Sequence, residues 1–214
     1  MTELLFIRHG ETDWNRQQRF QGQIDVPLNE VGHLQAQRLA ERLAHEPHDR
    51  LVASDLLRTR ETAAPLAAAW GLPPDLHKGL REQSFGVLEG LDVPTIQARH
   101  ADLWARWLEH EADFALPGGE SLREFHARVL SAVRELAESY RGQRLAIITH
   151  GGVLDMLWRT AHGLPIHGLR TCEIPNTGLN RLRWKDGSLQ IERWADAAHL
   201  QGLPEQPSTR PGGH

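Results

Sequence analysis

The chain carries a single cysteine, Cys172, in 214 residues, so it has no internal disulfide to close. No unbroken apolar run approaches the ~18 residues of a membrane-spanning helix. The opening Met1-Thr2-Glu3 has no basic stretch and leads straight into apolar residues, unlike a secretory leader. A reducing, cytoplasmic setting is expected on these grounds. Excess positive charge is missing too. Lys and Arg number 24 against 28 Asp and Glu, a net charge of -4, so no nucleic-acid partner and no membrane partner is expected. Internal repeats are also absent. Hydrophobic residues at 40% and charged residues at 24% fit one folded domain with a sizeable core.

Histidine, by contrast, is plentiful at 13, which raises the question of a metal site. The spacing argues against one. His45-Glu46-Pro47-His48 is one residue short of the zinc-protease pattern, and Pro47 breaks the helix that pattern needs. His33, His77, His100, His110, His126 and His199 have no partner at ligand spacing and are expected at the surface. No metal and no cofactor is expected.

Two stretches organise the rest. Leu4-Leu5-Phe6-Ile7 runs into Arg8-His9-Gly10-Glu11-Thr12, and Leu145-Ala146-Ile147-Ile148-Thr149 runs into His150-Gly151-Gly152. Short apolar runs of this kind read as strands buried on both faces of a parallel sheet. Ligands of such sheets sit beyond the carboxyl ends of the strands. Arg8, His9 and His150 fall there, and the glycines allow sharp turns and close approach.

Between these strands, residues 12–27 read as a polar loop anchored by Trp14 and Phe20, of a length that is often functional. Asn29 caps an expected helix with an apolar stripe at Ala36, Leu39, Ala40, Leu43 and Ala44. Leu51-Val52-Ala53 reads as a short strand, and Ser54-Asp55 as the cap of the next helix, with a kink expected at Pro65. Arg58 lies in that helix's first turn and so joins the same pocket, whereas Arg60, about 200° further round, points elsewhere. Glu82 lies in an irregular stretch. Residues 94–108 read as one helix, with Trp104 and Trp107 expected as packing. Ser121-Leu122-Arg123-Glu124 has capping-box spacing and opens a long amphipathic helix. Residues 179–184 and 189–194 flank Asp186-Gly187 as a hairpin. Alternating strands and helices give an α/β fold. The domain is expected over residues 1–200, with 201–214, rich in Pro, Gly and Ser from Gln206 on, as a flexible C-terminal tail.

Arg8 and Arg58 stay charged at any working pH, and their forks match phosphate oxygens. His9 and His150 offer a nucleophile or a further donor, and Glu82 can move a proton. The set fits phosphoryl transfer: His9 attacks phosphorus, Arg8, Arg58 and His150 hold the transferring group, and Glu82 protonates the leaving oxygen. Any one of these residues taken alone would more often be structural. Their shared position, with three of the five directly following buried strands, is what argues for a site.

These residues also resemble the histidine phosphatase superfamily, the phosphoglycerate mutase-like proteins. The resemblance runs over residues 4–194, with the parts in family order. They are Arg8-His9-Gly10-Glu11-Thr12 with Trp14-Asn15, Phe20-Gln21-Gly22 with Asp25 and Pro27-Leu28, and Ser54-Asp55-Leu56-Leu57-Arg58 with Thr62. Glu82 with Phe85-Gly86 and Glu89-Gly90, Pro117-Gly118-Gly119-Glu120-Ser121, and Thr149-His150-Gly151 complete the set. It implies a three-layer α/β/α sandwich with a mostly parallel central sheet. It also implies His9 as the phosphorylated nucleophile, Arg8, Arg58 and His150 as the phosphate pocket, and Glu82 as proton donor. Asn15, Gln21, Gly22 and Gly151 are implied to line the substrate site.

The expected activity is a metal-independent phosphomonoesterase acting on a small phosphorylated metabolite through a phosphohistidine. Two alternatives are a cofactor-dependent phosphoglycerate mutase and a non-catalytic module that binds a phosphorylated ligand. The mutase branch has a longer, more basic interval after the glutamate; here residues 82–117 are short, with Arg99 and Arg106 as their only arginines. That branch also has Arg and Tyr where this chain has Gln83 and Phe85, and Gly-Asn where it has Gly151-Gly152. Each difference removes a polar group that would retain an acidic intermediate, so water is expected to win. Selectivity is expected to lie in residues 91–114 and near residues 170–176. The sequence leaves open both the substrate and whether two copies form a homodimer.

Overall fold

The computed structural model of the chain describes residues 1–206. Strands β1 (Thr2–Arg8), β2 (Arg50–Ala53), β3 (Asp75–Leu76), β4 (Arg144–Thr149), β5 (Leu179–Lys185) and β6 (Ser188–Asp196) form one sheet in the order β3-β2-β4-β1-β5-β6. The first four run parallel, and β5 is antiparallel to both β1 and β6. The sheet is therefore mostly parallel, as the unbroken apolar runs require.

Its two faces are written in alternate residues of the central strands. Leu4, Phe6, Leu145 and Ile147 pack against α6 (Leu122–Ser139) and α7 (Gly151–Ala161) through Phe125, Val129, Val133, Val153 and Leu157. Leu5, Ile7, Ala146 and Ile148 turn the other way and meet Leu39, Leu43, Ala63 and Leu66 of α2 (Glu30–Leu43) and α3 (Leu57–Trp70). This is the expected α/β/α sandwich. The chain leaving β1 goes to the α2 face and the chain leaving β4 to the α7 face. A crevice opens where the connections part, between the ends of two adjacent parallel strands.

Local signals act largely as their chemistry dictates. Asn29 caps α2, accepting from Gly32 N–H at 2.8 Å. Ser121 and Glu124 close a capping box on α6. Asp186 and Gly187, both with positive φ, turn the β5–β6 hairpin. The loop 12–27 holds one helical turn, α1 (Asp13–Arg16), capped by Thr12.

Several expectations fail. Residues 94–108 form two helices, α4 (Val93–Arg99) and α5 (Ala101–Leu108), because His100 leaves helical geometry at φ -136°, ψ 40°. The break lets Ile96 and Trp104 converge with Leu88 and Leu116 on a small separate core, walled by Phe20, Phe85 and Trp107. Ser54 and Asp55 do not cap α3. Its first N–H, that of Leu57, is capped by Asp25 from the distant loop at 2.7 Å. Of the six histidines expected at the surface, only His33 is exposed; the others are half-buried. Within the expected tail, Gln206 pairs both ways with the backbone of Asn176, at 2.6 and 3.2 Å, and residues 207–214 lie outside the described residues. No helix among the described residues is long and apolar enough to cross a membrane.

Leu34 and Leu39 share α2 but are 47% and 0% exposed. Leu39→Ala is expected to cost about 2–5 kcal/mol in urea unfolding, and Leu34→Ala about 0.5 kcal/mol or less. Equal losses would mean that the helix faces are misassigned.

Candidate functional site

Register builds the site. Arg8 pairs with Thr149 across β1 and β4, so the next residues, His9 and His150, emerge side by side with ring centroids 5.3 Å apart. Ala53 pairs with Ile148, which sets Ser54 at the same sheet edge. There Ser54 Oγ lies 2.9 Å from His150 Nε2. Ser54 thus orients a histidine, a contact the sequence expectation of a helix cap missed.

His9 is clamped through its backbone. Its N–H donates to Thr149 O at 2.9 Å, and its carbonyl accepts from Asn176 Nδ2 at 2.8 Å. The following turn crosses α2 so closely that a Cβ on Gly10 would come within 2.7 Å of Gly32 O, which excludes a side chain there. His9 Nδ1 lies 2.7 Å from Gly10 O. A carbonyl only accepts, so Nδ1 carries the proton and Nε2 keeps its lone pair.

Arg8 donates from Nη1 to Ile174 O at 2.7 Å. Arg58 donates from Nη1 to Ile24 O at 2.9 Å and from Nη2 to Gly22 O at 2.8 Å. Arg8 Nε, Arg58 Nε and His150 Nδ1 are buried and lack any protein partner. Buried donors are normally paired, so three unpaired nitrogens around one crevice mark a place for anionic oxygens. If Ser54 O–H donates to His150 Nε2, Nδ1 becomes the donor facing an anion. The N-terminus of α7, immediately after His150, adds its dipole.

Glu82 reaches the site from the irregular segment after Leu80. Its Oε1 accepts from Gln83 N–H at 2.9 Å and its Oε2 from Gly152 N–H at 3.0 Å. A Cβ on Gly152 would collide with Glu82 Oε1, which is why glycine serves there. The segment is stitched to α6 by Arg128, which donates to the carbonyls of Gly79, Arg81 and Glu82 and grips the Glu120 carboxylate at 2.7 Å with both Nε and Nη2. Arg81 clasps Asp55 with two bonds of 2.6 Å. The roles of Arg128 and Arg81 were invisible in sequence, since each acts on backbone or carboxylate far along the chain. Glu120 was flagged only as part of a turn motif.

Asn15 and Gln21 are both half-buried and meet at Thr12. Thr12 N–H donates to Asn15 Oδ1 at 3.0 Å, and the Thr12 hydroxyl donates to Gln21 Oε1 at 3.0 Å. Holding both carbonyl ends leaves the two NH₂ groups without protein partners among the described residues. Gly22 acts through its carbonyl on Arg58. Gly151 separates Arg8 from the loop after α7. The structure thus brings Arg8, His9, Arg58, Glu82 and His150 together, with Gly22 on Arg58 and Gly151 beside Arg8, while Asn15 and Gln21 meet at Thr12. Arg60 is exposed, away from the site. The His45–His48 segment is structural: Glu46 forks with Arg181 and His48 stacks on Trp70. Among the described residues, no three His, Cys, Asp or Glu side chains cluster as a metal site.

Burial, then the charge of Arg58, pushes His9 and His150 well below the usual imidazole range. Both rings are therefore neutral at pH 7, the state a nucleophile needs. Arg8 and Arg58 fall to about 10, chiefly through burial, and stay charged.

Residues 4–197 match the histidine phosphatase superfamily (branch 1). The chain is 35% identical to "Phosphoglycerate mutase-like protein 4" of Arabidopsis thaliana, over 93% of this chain and 87% of the relative. It is 32% identical to the "Metal-independent phosphoserine phosphatase" of the same plant, over 95% and 85%. The solved mycobacterial glucosyl-3-phosphoglycerate phosphatase in complex with VO3 superposes with a TM-score of 0.76 at 30% identity, covering 91% of this chain and 99% of that one. The chain belongs to the histidine phosphatase superfamily. Within that class it is a phosphoric monoester hydrolase.

The neutral histidines fix a pH dependence. An unfolded chain would protonate them below about pH 6.5, while the folded site resists. The unfolded state then binds more protons, and stability is lost as pH falls below that value. Each ring contributes a slope of up to about 1.4 kcal/mol per pH unit. Urea unfolding between pH 8 and 5 is expected to show the decline, and the double variant His9→Gln/His150→Gln to flatten it. An unaltered slope in the variant would place the cause elsewhere.

Proposed function

We propose that the protein hydrolyses a small phosphorylated metabolite through a phosphohistidine on His9. One observation carries this most: His9 Nδ1–H is fixed on Gly10 O, so the Nε2 lone pair is presented beside three buried nitrogens that lack protein partners. In the first half-reaction, Nε2 forms a bond to phosphorus while the bond to the ester oxygen breaks. Arg8, Arg58 and His150 hold the equatorial oxygens. The leaving oxygen takes a proton from the Glu82 carboxyl. In the second half-reaction, Glu82 takes a proton from water, the water oxygen bonds to phosphorus, and the phosphorus–nitrogen bond breaks. Inorganic phosphate leaves, and His9 and Glu82 return to their starting states. No step needs a metal, since the guanidiniums supply the charge. By the same reading, the amides of Asn15 and Gln21 contact the substrate.

The name of the relative "Phosphoglycerate mutase-like protein 4" keeps phosphoglycerate mutase in view as a second reading. Gln83 and Gly152 argue against it. The Gln83 side chain donates to Glu120 O at 2.9 Å, and Gly152 presents only backbone to Glu82. Neither side chain offers the polar hold that would keep a product for re-phosphorylation.

Brief mixing with ³²P-labelled phosphomonoester is expected to leave an acid-labile, base-stable label on the wild type and none on His9→Ala. Steady-state release is expected to persist in excess chelator and to fall by at least about 10³-fold in His9→Ala. Glu82→Gln is expected to slow alkyl phosphates far more than p-nitrophenyl phosphate, whose leaving group needs no proton. An equal loss on both would remove Glu82 from the proton-transfer step. Conversion of 3- to 2-phosphoglycerate outpacing phosphate release, given 2,3-bisphosphoglycerate, would favour the mutase. Phosphate binding without turnover across a broad panel would favour a binding module.

A further inference from the structure

Arg159, on the third turn of α7, is buried and has every donor engaged. Its Nε pairs with Asp155 at 3.0 Å, Nη1 donates to Pro165 O and His167 O at 2.8 Å each, and Nη2 donates to Gly168 O and Leu169 O at 2.9 and 2.6 Å. One guanidinium thus fixes four carbonyls of the loop that ends at Arg170. Arg170 itself makes no hydrogen bond among the described residues. Its Nε is buried without a partner and lies 3.9 Å from Asp155 Oδ1, too far to bond. Two arginines share one carboxylate, so the cluster keeps an unmatched positive charge.

That charge lies at the pocket. A Cβ on Gly151 would stand 3.5 Å from Arg8 Nε on one side and 3.8 Å from Arg170 Nη2 on the other. Arg170 is also, after burial, the main influence lowering Arg8. The adjacent residue, Gly152, holds Glu82, the group assigned to the leaving oxygen. A leaving group that meets Glu82 therefore passes Arg170.

We propose that Arg170 is a specificity-determining residue that takes a second anionic group, carboxylate or phosphate, carried on the leaving group of the substrate. The role rests on the phosphatase activity proposed above. A guanidinium fork binds such oxygens with two parallel bonds, and a partly buried one gains more from this than an exposed one. The loop is anchored before substrate arrives, so little ordering is needed on binding.

The test uses matched substrates: 3-phosphoglycerate against glycerol 3-phosphate, which differ by carboxylate versus hydroxymethyl, and propane-1,3-diol bisphosphate against 3-hydroxypropyl phosphate. The readout is the ratio of kcat/KM within each pair, which does not depend on the fraction of enzyme folded. Wild type is expected to favour the doubly anionic member of at least one pair about tenfold or more. Arg170→Gln is expected to bring that ratio near one, Arg170→Lys to keep part of it, and Arg170→Glu to invert it. The pair that responds identifies the anion. A ratio unchanged by Arg170→Gln, or no preference in wild type, overturns the role of Arg170 while leaving the phosphatase in place. Absence of His9-dependent hydrolysis of all four compounds overturns both.

Discussion

Guanidinium groups cannot shed their charge when buried, and this chain buries two of them at the end of a sheet. Removing such an ion from water costs several kcal/mol unless its donors are met. Much of the surrounding chain is arranged to meet them. The loop after α1 curls until the carbonyls of Gly22 and Ile24 face Arg58, and the segment before β5 offers Ile174 O to Arg8. Among the carboxyl groups, Glu82 interacts most favourably with both. Left buried without a partner are the Nε of each arginine and Nδ1 of His150, and these suit a phosphoryl group.

Burial first, and then the same charges, set the state of the histidines. A protonated imidazole beside Arg8 and Arg58 would face like charge in a dry environment, so both rings stay neutral. Neutrality alone would leave the tautomer open. Gly10 O settles it for His9, and Ser54 can do so for His150. The site therefore gains its reactivity from backbone carbonyls and a hydroxyl as much as from the residues that touch phosphorus.

What could be read from sequence followed from proximity along the chain. The apolar runs of β1 and β4 are local, and the residues after them are placed by register, so the approach of His9 to His150 was legible. Arg58 was legible because it opens a helix that follows a strand. Glu82 has no such signature and entered only as a carboxyl group able to move a proton, and Asn15 and Gln21 were reached through family resemblance. The failures have one cause: polar side chains choosing distant partners over local ones. Ser54 and Asp55 have the composition of a helix cap, yet they serve His150 and Arg81, while Asp25 caps α3 from 32 residues away. Arg128 and Arg159 look like solvated helix charges and are instead buried or half-buried clamps on carbonyls. The break at His100 is tertiary too, since packing of Trp104 beneath Phe20 outweighs the continuity of one helix.

Asn176 joins the two ends of the chain at the reactive residue. Its side chain holds the His9 carbonyl, and its backbone is gripped from both sides by the amide of Gln206. Two hydrogen-bonded steps thus separate the nucleophile's main chain from a residue near the carboxyl terminus. Proteolytic trimming that removed Gln206 would leave fold and pocket residues intact in sequence and still loosen the backbone that aims the imidazole. Such clipping would register as poorer alignment of attack before it registered as unfolding.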